Sequence, residues 1–141
     1  MRLGGAALAL AAGLAGAAGG TTQASFTDAA PVGSNALSTA TLQAPTGLGA
    51  AAGCNFLSPK VTLTWTATTS TFADGYDVYR GTVNGGPYSN IAHVNGRTTA
   101  TYVDTSVSSN RTYYYVLRST AYGWTSANSN QASATTPLLC L

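Results

Sequence analysis

Glutamate is absent from this chain, lysine and histidine occur once each, and charged residues make up only 7% of its 141 residues. So little charge excludes several classes of protein at the outset. The acids are Asp28, Asp74, Asp77 and Asp104. A glycosidase needs two carboxylates facing one another across a cleft, whereas Asp74 falls in a turn with Gly75, Asp77 should point outward from a strand, and Asp104 closes a strand. The cations Arg2, Lys60, Arg80, Arg97, Arg111 and Arg118 are scattered singly and form no basic stripe, which makes nucleic acid and anionic membrane surfaces poor partners. Two cysteines and a distant His93 lack the spacing of a zinc site, and no metal or cofactor is expected. A Ser-His-Asp triad would have to use His93, and a lone histidine on a strand reads as packed or solvated. The chain is not expected to be an enzyme.

Helical periodicity is missing too. What is present instead is Thr, Ser, Ala, Gly and Tyr, a composition that suits short strands with uncharged polar outer faces in an extracellular setting.

Residues 1–24 read as a signal peptide, with Arg2 as a minimal charged start, an apolar run from Leu3 to Ala18, and small residues up to Ala24, where cleavage is expected. The run is short and glycine-rich for a membrane anchor. No cysteine sits near its end to take a lipid, and Cys140, the second-last residue, fails the prenylation spacing. No membrane association is expected after cleavage. Residues 25–44 are small, polar and broken by Pro31 and Gly33, and read as a spacer or a single strand that pairs elsewhere. The start Ser25-Phe-Thr-Asp28 resembles the mature N-terminus of surface and fibre proteins cut by the SipW-type signal peptidase, which implies export.

From Pro45 onward, turn signals arrive regularly. Val61, Leu63 and Trp65 alternate with threonines in a strand over Lys60–Ala67, after an opening strand near Thr46–Ala51. Asp74-Gly75 breaks the chain, and Tyr76, Val78 and Arg80 alternate with Asp77 and Tyr79 in the next strand. Asn84-Gly-Gly-Pro87 is a turn. Strands follow over Tyr88–Val94 and Thr98–Asp104. The richest stretch, Asn110–Ser119, puts Tyr113, Tyr115, Leu117 and Ser119 on one face and Thr112, Tyr114, Val116 and Arg118 on the other. Tyr122-Gly123 turns into a last strand, Trp124–Thr136. Seven short strands imply an all-β sandwich.

The set Pro45-Thr-Gly-Leu48, Val61-Thr-Leu-Thr-Trp65, Gly75-Tyr-Asp-Val-Tyr-Arg80, Thr101-Tyr-Val-Asp-Thr105 and Thr112-Tyr-Tyr-Tyr-Val-Leu117 resembles a bacterial secreted fibronectin type III domain over residues 45–137, with 138–141 left as a tail. The resemblance implies a seven-stranded immunoglobulin-like sandwich. In it Trp65, Tyr76, Val78, Tyr113, Tyr115 and Leu117 form the core, and the Tyr113 hydroxyl reaches a backbone group in the preceding turn. Ser119 stands where this family usually has alanine, so its hydroxyl needs a partner.

In that topology the turn after the first strand and the end of the last fall at one pole, which brings Cys54 and Cys140 together. An intramolecular disulfide is the default for an exported chain, with an intermolecular bridge as the alternative. The same topology sets Tyr79 and Tyr114 on one outer sheet face, where exposed rings stack on sugars or anchor a protein, or simply pair across strands. Tyr122 and Trp124 form a second candidate surface, with Trp124 expected to tuck over the end of the core. The leading expectation is a non-catalytic secreted or cell-surface module for adhesion, protein interaction or spacing. The alternatives are a polysaccharide-binding accessory to extracellular degradation, and a fibre subunit that oligomerises by adding residues 25–42 to a neighbour's sheet.

Overall fold

The computed structural model describes residues 40–141; the expected leader and most of the spacer lie outside them. The described chain is all-β: β1 (Thr46–Asn55), β2 (Ser58–Thr66), β3 (Gly75–Gly81), β4 (Ser89–Asn95), β5 (Thr101–Asp104), β6 (Thr112–Ala121), β7 (Trp124–Thr125) and β8 (Ala132–Thr135). One sheet has the order β1-β2-β5; the other runs β4-β3-β6-β7, with β8 also on β6. Every pairing is antiparallel.

The alternation read from the sequence sets the layers. Val61, Leu63 and Trp65 of β2 face Tyr76 and Val78 of β3 and Tyr113, Tyr115 and Leu117 of β6, and all eight are buried in one core. Trp65 meets Tyr76 edge to face, 5.4 Å between centroids. The Tyr76 hydroxyl donates to the Arg97 carbonyl at 2.5 Å and accepts from the Thr68 amide at 2.9 Å, closing one pole of the sandwich. The Tyr113 hydroxyl accepts from the Ser108 amide at 2.9 Å, the turn contact that the family resemblance implies.

Strand boundaries differ from expectation most in three places, while β4 is displaced by one residue. First, β1 continues to Asn55 and β2 begins at Ser58, joined by the two-residue turn Phe56-Leu57 with Phe56 at φ 54°. Pro59 is tolerated inside β2 because β5 reaches no further than Val61 on that side, so the proline takes no bond from that ladder. Second, β5 is confined to Thr101–Asp104, and β6 is shifted by two residues, because Asn110 adopts φ 53° in the turn before it. Third, the expected last strand is interrupted over residues 126–131. Ser126 Oγ accepts from the Ser119 amide and Ser129 Oγ from the Leu117 amide, both at 2.9 Å, taking the place of ladder carbonyls. Asn130 brackets Leu48 of β1, accepting from its amide and donating to its carbonyl at 2.9 Å each.

Candidate functional surfaces

The acids come first, because any chemistry would need them. Asp104 is buried, and its carboxylate receives Arg80 Nη1 at 2.8 Å, the Tyr115 hydroxyl at 3.0 Å, and the Ser106 hydroxyl and amide at 2.7 and 2.9 Å. Burial pushes this carboxyl upward, but the Ser106 and Arg80 bonds outweigh it and hold it below the usual range. Burial and the neighbouring Asp104 push the Tyr115 phenol well above its ordinary value. Arg80 also lies over the Tyr113 ring, 5.1 Å from its centroid. This network clamps β3, β5 and β6 together. Asp77 Oδ1 is hydrogen-bonded to His93 Nδ1 at 2.8 Å on the outer face of β3 and β4. Asp74 takes the Thr120 hydroxyl at 2.5 Å and the Tyr122 amide at 3.0 Å, bonds that lower its pKa. Each described acid is thus committed to a different structural contact.

Tyr79 and Tyr114 do lie on the outer face of the β3–β6 sheet, but they do not form one open platform. Tyr79 is opposite Val116, and Tyr114 is opposite Gly81. The Arg118 guanidinium covers the Tyr79 ring at 4.8 Å and is itself held by Asn128 at 2.7 Å. Val116, placed by alternation on the same outer face as Tyr114, is only 3% exposed. Strand periodicity could not show the 126–131 loop whose Asn128 anchors that arginine.

Tyr122 and Trp124 are 86% and 77% exposed. Trp124 does not tuck over the core as expected. Tyr122 and Gly123 both take positive φ, 49° and 86°, in a tight two-residue hairpin that sets Trp124 directly across from the small, buried Ala121. With the partly exposed Phe72 and Leu42 they line an open groove of about 640 Å³. Leu42 is placed there because its neighbours are tied to the domain. The Gln43 amide donates to Ser70 Oγ at 2.9 Å, and Thr68 Oγ1 donates to the Gln43 carbonyl at 2.6 Å. Sequence reasoning missed Phe72 and Leu42, whose only signal was an apolar residue inside a polar loop.

Cys54 and Cys140 are bonded, with Cα atoms 5.7 Å apart and a sequence separation of 86. The bond gathers a further apolar group that had not been anticipated: Phe56 and Leu57 in the β1–β2 turn, with Leu138, Leu139 and Leu141 of the tail, all strongly exposed. Large apolar side chains at turn positions, where turn chemistry favours polar residues, were the readable sign.

Two antiparallel sheets, a tyrosine-corner bond and a buried tryptophan facing the opposite layer define an immunoglobulin-like sandwich. Comparison with known proteins narrows this. No family model and no curated protein matches the chain. Among solved structures it is 35% identical to an Fn3-like protein from Clostridium thermocellum, covering 70% of this chain and 96% of that one with a TM-score of 0.59. It is 25% identical to a protein called FN3tt, over 69% of this chain and 99% of that one with a TM-score of 0.52. A β-1,2-glucanase from Parabacteroides distasonis shares the fold at 20% identity and a TM-score of 0.52, over 69% of this chain but 13% of the enzyme. The chain belongs to the fibronectin type III family.

Proposed function

We propose that this protein is an exported, non-catalytic fibronectin type III module that binds a partner in adhesion or interaction at the cell surface, and that its contact surface is the aromatic pole built by Tyr122 and Trp124. The exposure of these two rings on a tight hairpin carries the reading. A solvated Trp and a solvated Tyr on one hairpin are costly to display and are among the side chains most often found as binding anchors. A disulfide between Cys54 and Cys140 supports an oxidising, extracellular location. The commitment of Asp74, Asp77 and Asp104 to separate structural contacts supports a role without catalysis.

A polysaccharide is the second reading of the ligand, favoured by the same two exposed rings, which can stack on sugar faces. Binding of the labelled full-length protein to insoluble cellulose, chitin and bacterial cell envelopes tests both. Saturable retention on at least one surface is expected, weakened about tenfold or more in Tyr122→Ser, Trp124→Ala and unchanged in Tyr79→Ala, Tyr114→Ala. Full retention by the pole variant, or dependence on Tyr79 and Tyr114 instead, contradicts the assignment.

A further inference from the structure

The two apolar groups left in solvent lie at opposite ends of the sandwich. β2 runs from Ser58, beside the Phe56-Leu57 turn, to Thr66, and the aromatic hairpin follows the far end of β6, where Thr120 pairs with Gly75. Nine residues of β2 at about 3.3 Å each separate the two poles by roughly 30 Å. At one pole the disulfide pins the tail beside the first hairpin, so that Phe56, Leu57, Leu138, Leu139 and Leu141, between 66% and 100% exposed, are all carried at the same end of the sandwich as a projecting apolar knob. Asn110 holds the same tail from β6's side, its amide donating to the Pro137 carbonyl at 3.0 Å. At the other pole is the groove of Leu42, Phe72, Tyr122 and Trp124.

We infer that the leucine pole of one copy docks into the aromatic pole of the next, so that the chain associates head to tail with itself. The inference rests on the reading of the aromatic pole as the binding surface and names its partner. The size of the knob supports a second copy as occupant. At about 150 Å² per large side chain its exposed apolar area is roughly 600 Å², at the upper end of what a monomer leaves uncovered and near the ~800 Å² per partner of a stable interface. Charge does not oppose the contact. Among the described residues, Lys60, opposite Gly53, and Arg111, next to the tail-bound Asn110, stand toward the leucine pole, while Asp74 and Asp77, the described aspartates other than buried Asp104, lie toward the aromatic pole with Arg97 and Arg118. Because the two surfaces differ, the contact is heterologous and repeats from copy to copy rather than closing as a symmetric dimer.

Sedimentation velocity of the full, oxidised chain from micromolar to millimolar concentration tests this, with Phe56→Ser, Leu57→Ser as the knob variant and Tyr122→Ser, Trp124→Ala as the groove variant. Thermal melts establish first that both are folded. The wild-type protein is expected to form growing oligomers, and each variant alone to stay monomeric with association weakened about tenfold or more. A mixture of the two variants is expected to stop at one-to-one dimers, because it holds one intact knob and one intact groove per pair. A groove variant that associates as well as wild type overturns the inference, as does a wild-type monomer at millimolar concentration. A monomer that instead pelletes with phosphatidylglycerol vesicles, and loses this only in the knob variant, assigns the leucine pole to lipid and also overturns it. If wild type stays monomeric while the groove variant alone loses retention on cellulose, chitin or envelopes, self-docking fails and the aromatic pole keeps its assigned role.

Discussion

Arg80 reaches across from β3 to the buried Asp104 at the end of β5, Nη1 to Oδ2 at 2.8 Å, and the Tyr115 hydroxyl donates to the same oxygen at 3.0 Å. One arginine, one carboxylate and one phenol therefore join the two sheets. Asp104→Ala leaves Arg80 and Tyr115 without their acceptor and is expected to cost about 3 kcal/mol or more. Urea unfolding with an unchanged slope checks it, and a loss below 1 kcal/mol would show that the pair is not structural.

The same trio sets the limits in pH. Asp104 is held below its ordinary pKa in the fold, so its contribution is present above the unfolded value near pH 4 and is lost as pH falls through the lower folded value. Tyr115 is raised, so its contribution is present below about pH 10 and is lost as pH rises beyond that toward the folded value. Melting temperature followed against pH should drop on both flanks, and Tyr115→Phe should remove part of the alkaline drop.

Ser119 and Ser126 make opposite predictions. Ser119 Oγ is buried without a partner, the cost anticipated for a hydroxyl where this family usually has alanine. Ser119→Ala is expected to be neutral or to stabilise by up to about 1 kcal/mol. Ser126→Ala removes the acceptor of the Ser119 amide and is expected to cost about 1–2 kcal/mol. Thermal melts of the two single variants, measured side by side, decide whether the interrupted last strand is held by its hydroxyls.

The disulfide is expected to contribute on the order of 4 kcal/mol by closing a loop of 86 positions. Cys54→Ser, Cys140→Ser should therefore melt well below the oxidised protein yet keep its β-sheet signature in circular dichroism, since the cluster that joins the two sheets is formed by other side chains, although Cys140 itself is buried. Equal melting temperatures would show that native-state strain cancels the entropy gained.

The layers and the core were legible because they follow from period-two alternation: Val61, Leu63 and Trp65 on one strand and Tyr113, Tyr115 and Leu117 on another have only one face to bury. The Cys54–Cys140 pairing followed from topology once the strands alternated in direction. The surfaces were less readable. Whether Tyr79 is open depends on Arg118, whose position depends on Asn128 in a loop with no periodicity. Whether Trp124 is buried depends on positive φ at Tyr122 and Gly123, which fixes where the next side chain goes. Phe56 and Leu57 acquire meaning only beside Leu138 and Leu139, about 80 positions away, and a single local pattern cannot join them.

Tryptophan fluorescence tests most directly the idea that a stable sandwich presents Trp124 for contact, because the chain has only two tryptophans and Trp65 is buried. At low concentration roughly half of the emission is expected to be red-shifted and quenched by acrylamide, to vanish in Trp124→Phe with little change in melting temperature, and to shift blue as the pole becomes occupied. Emission that is wholly blue and protected in the dilute wild-type protein would contradict an exposed aromatic pole and the function built on it.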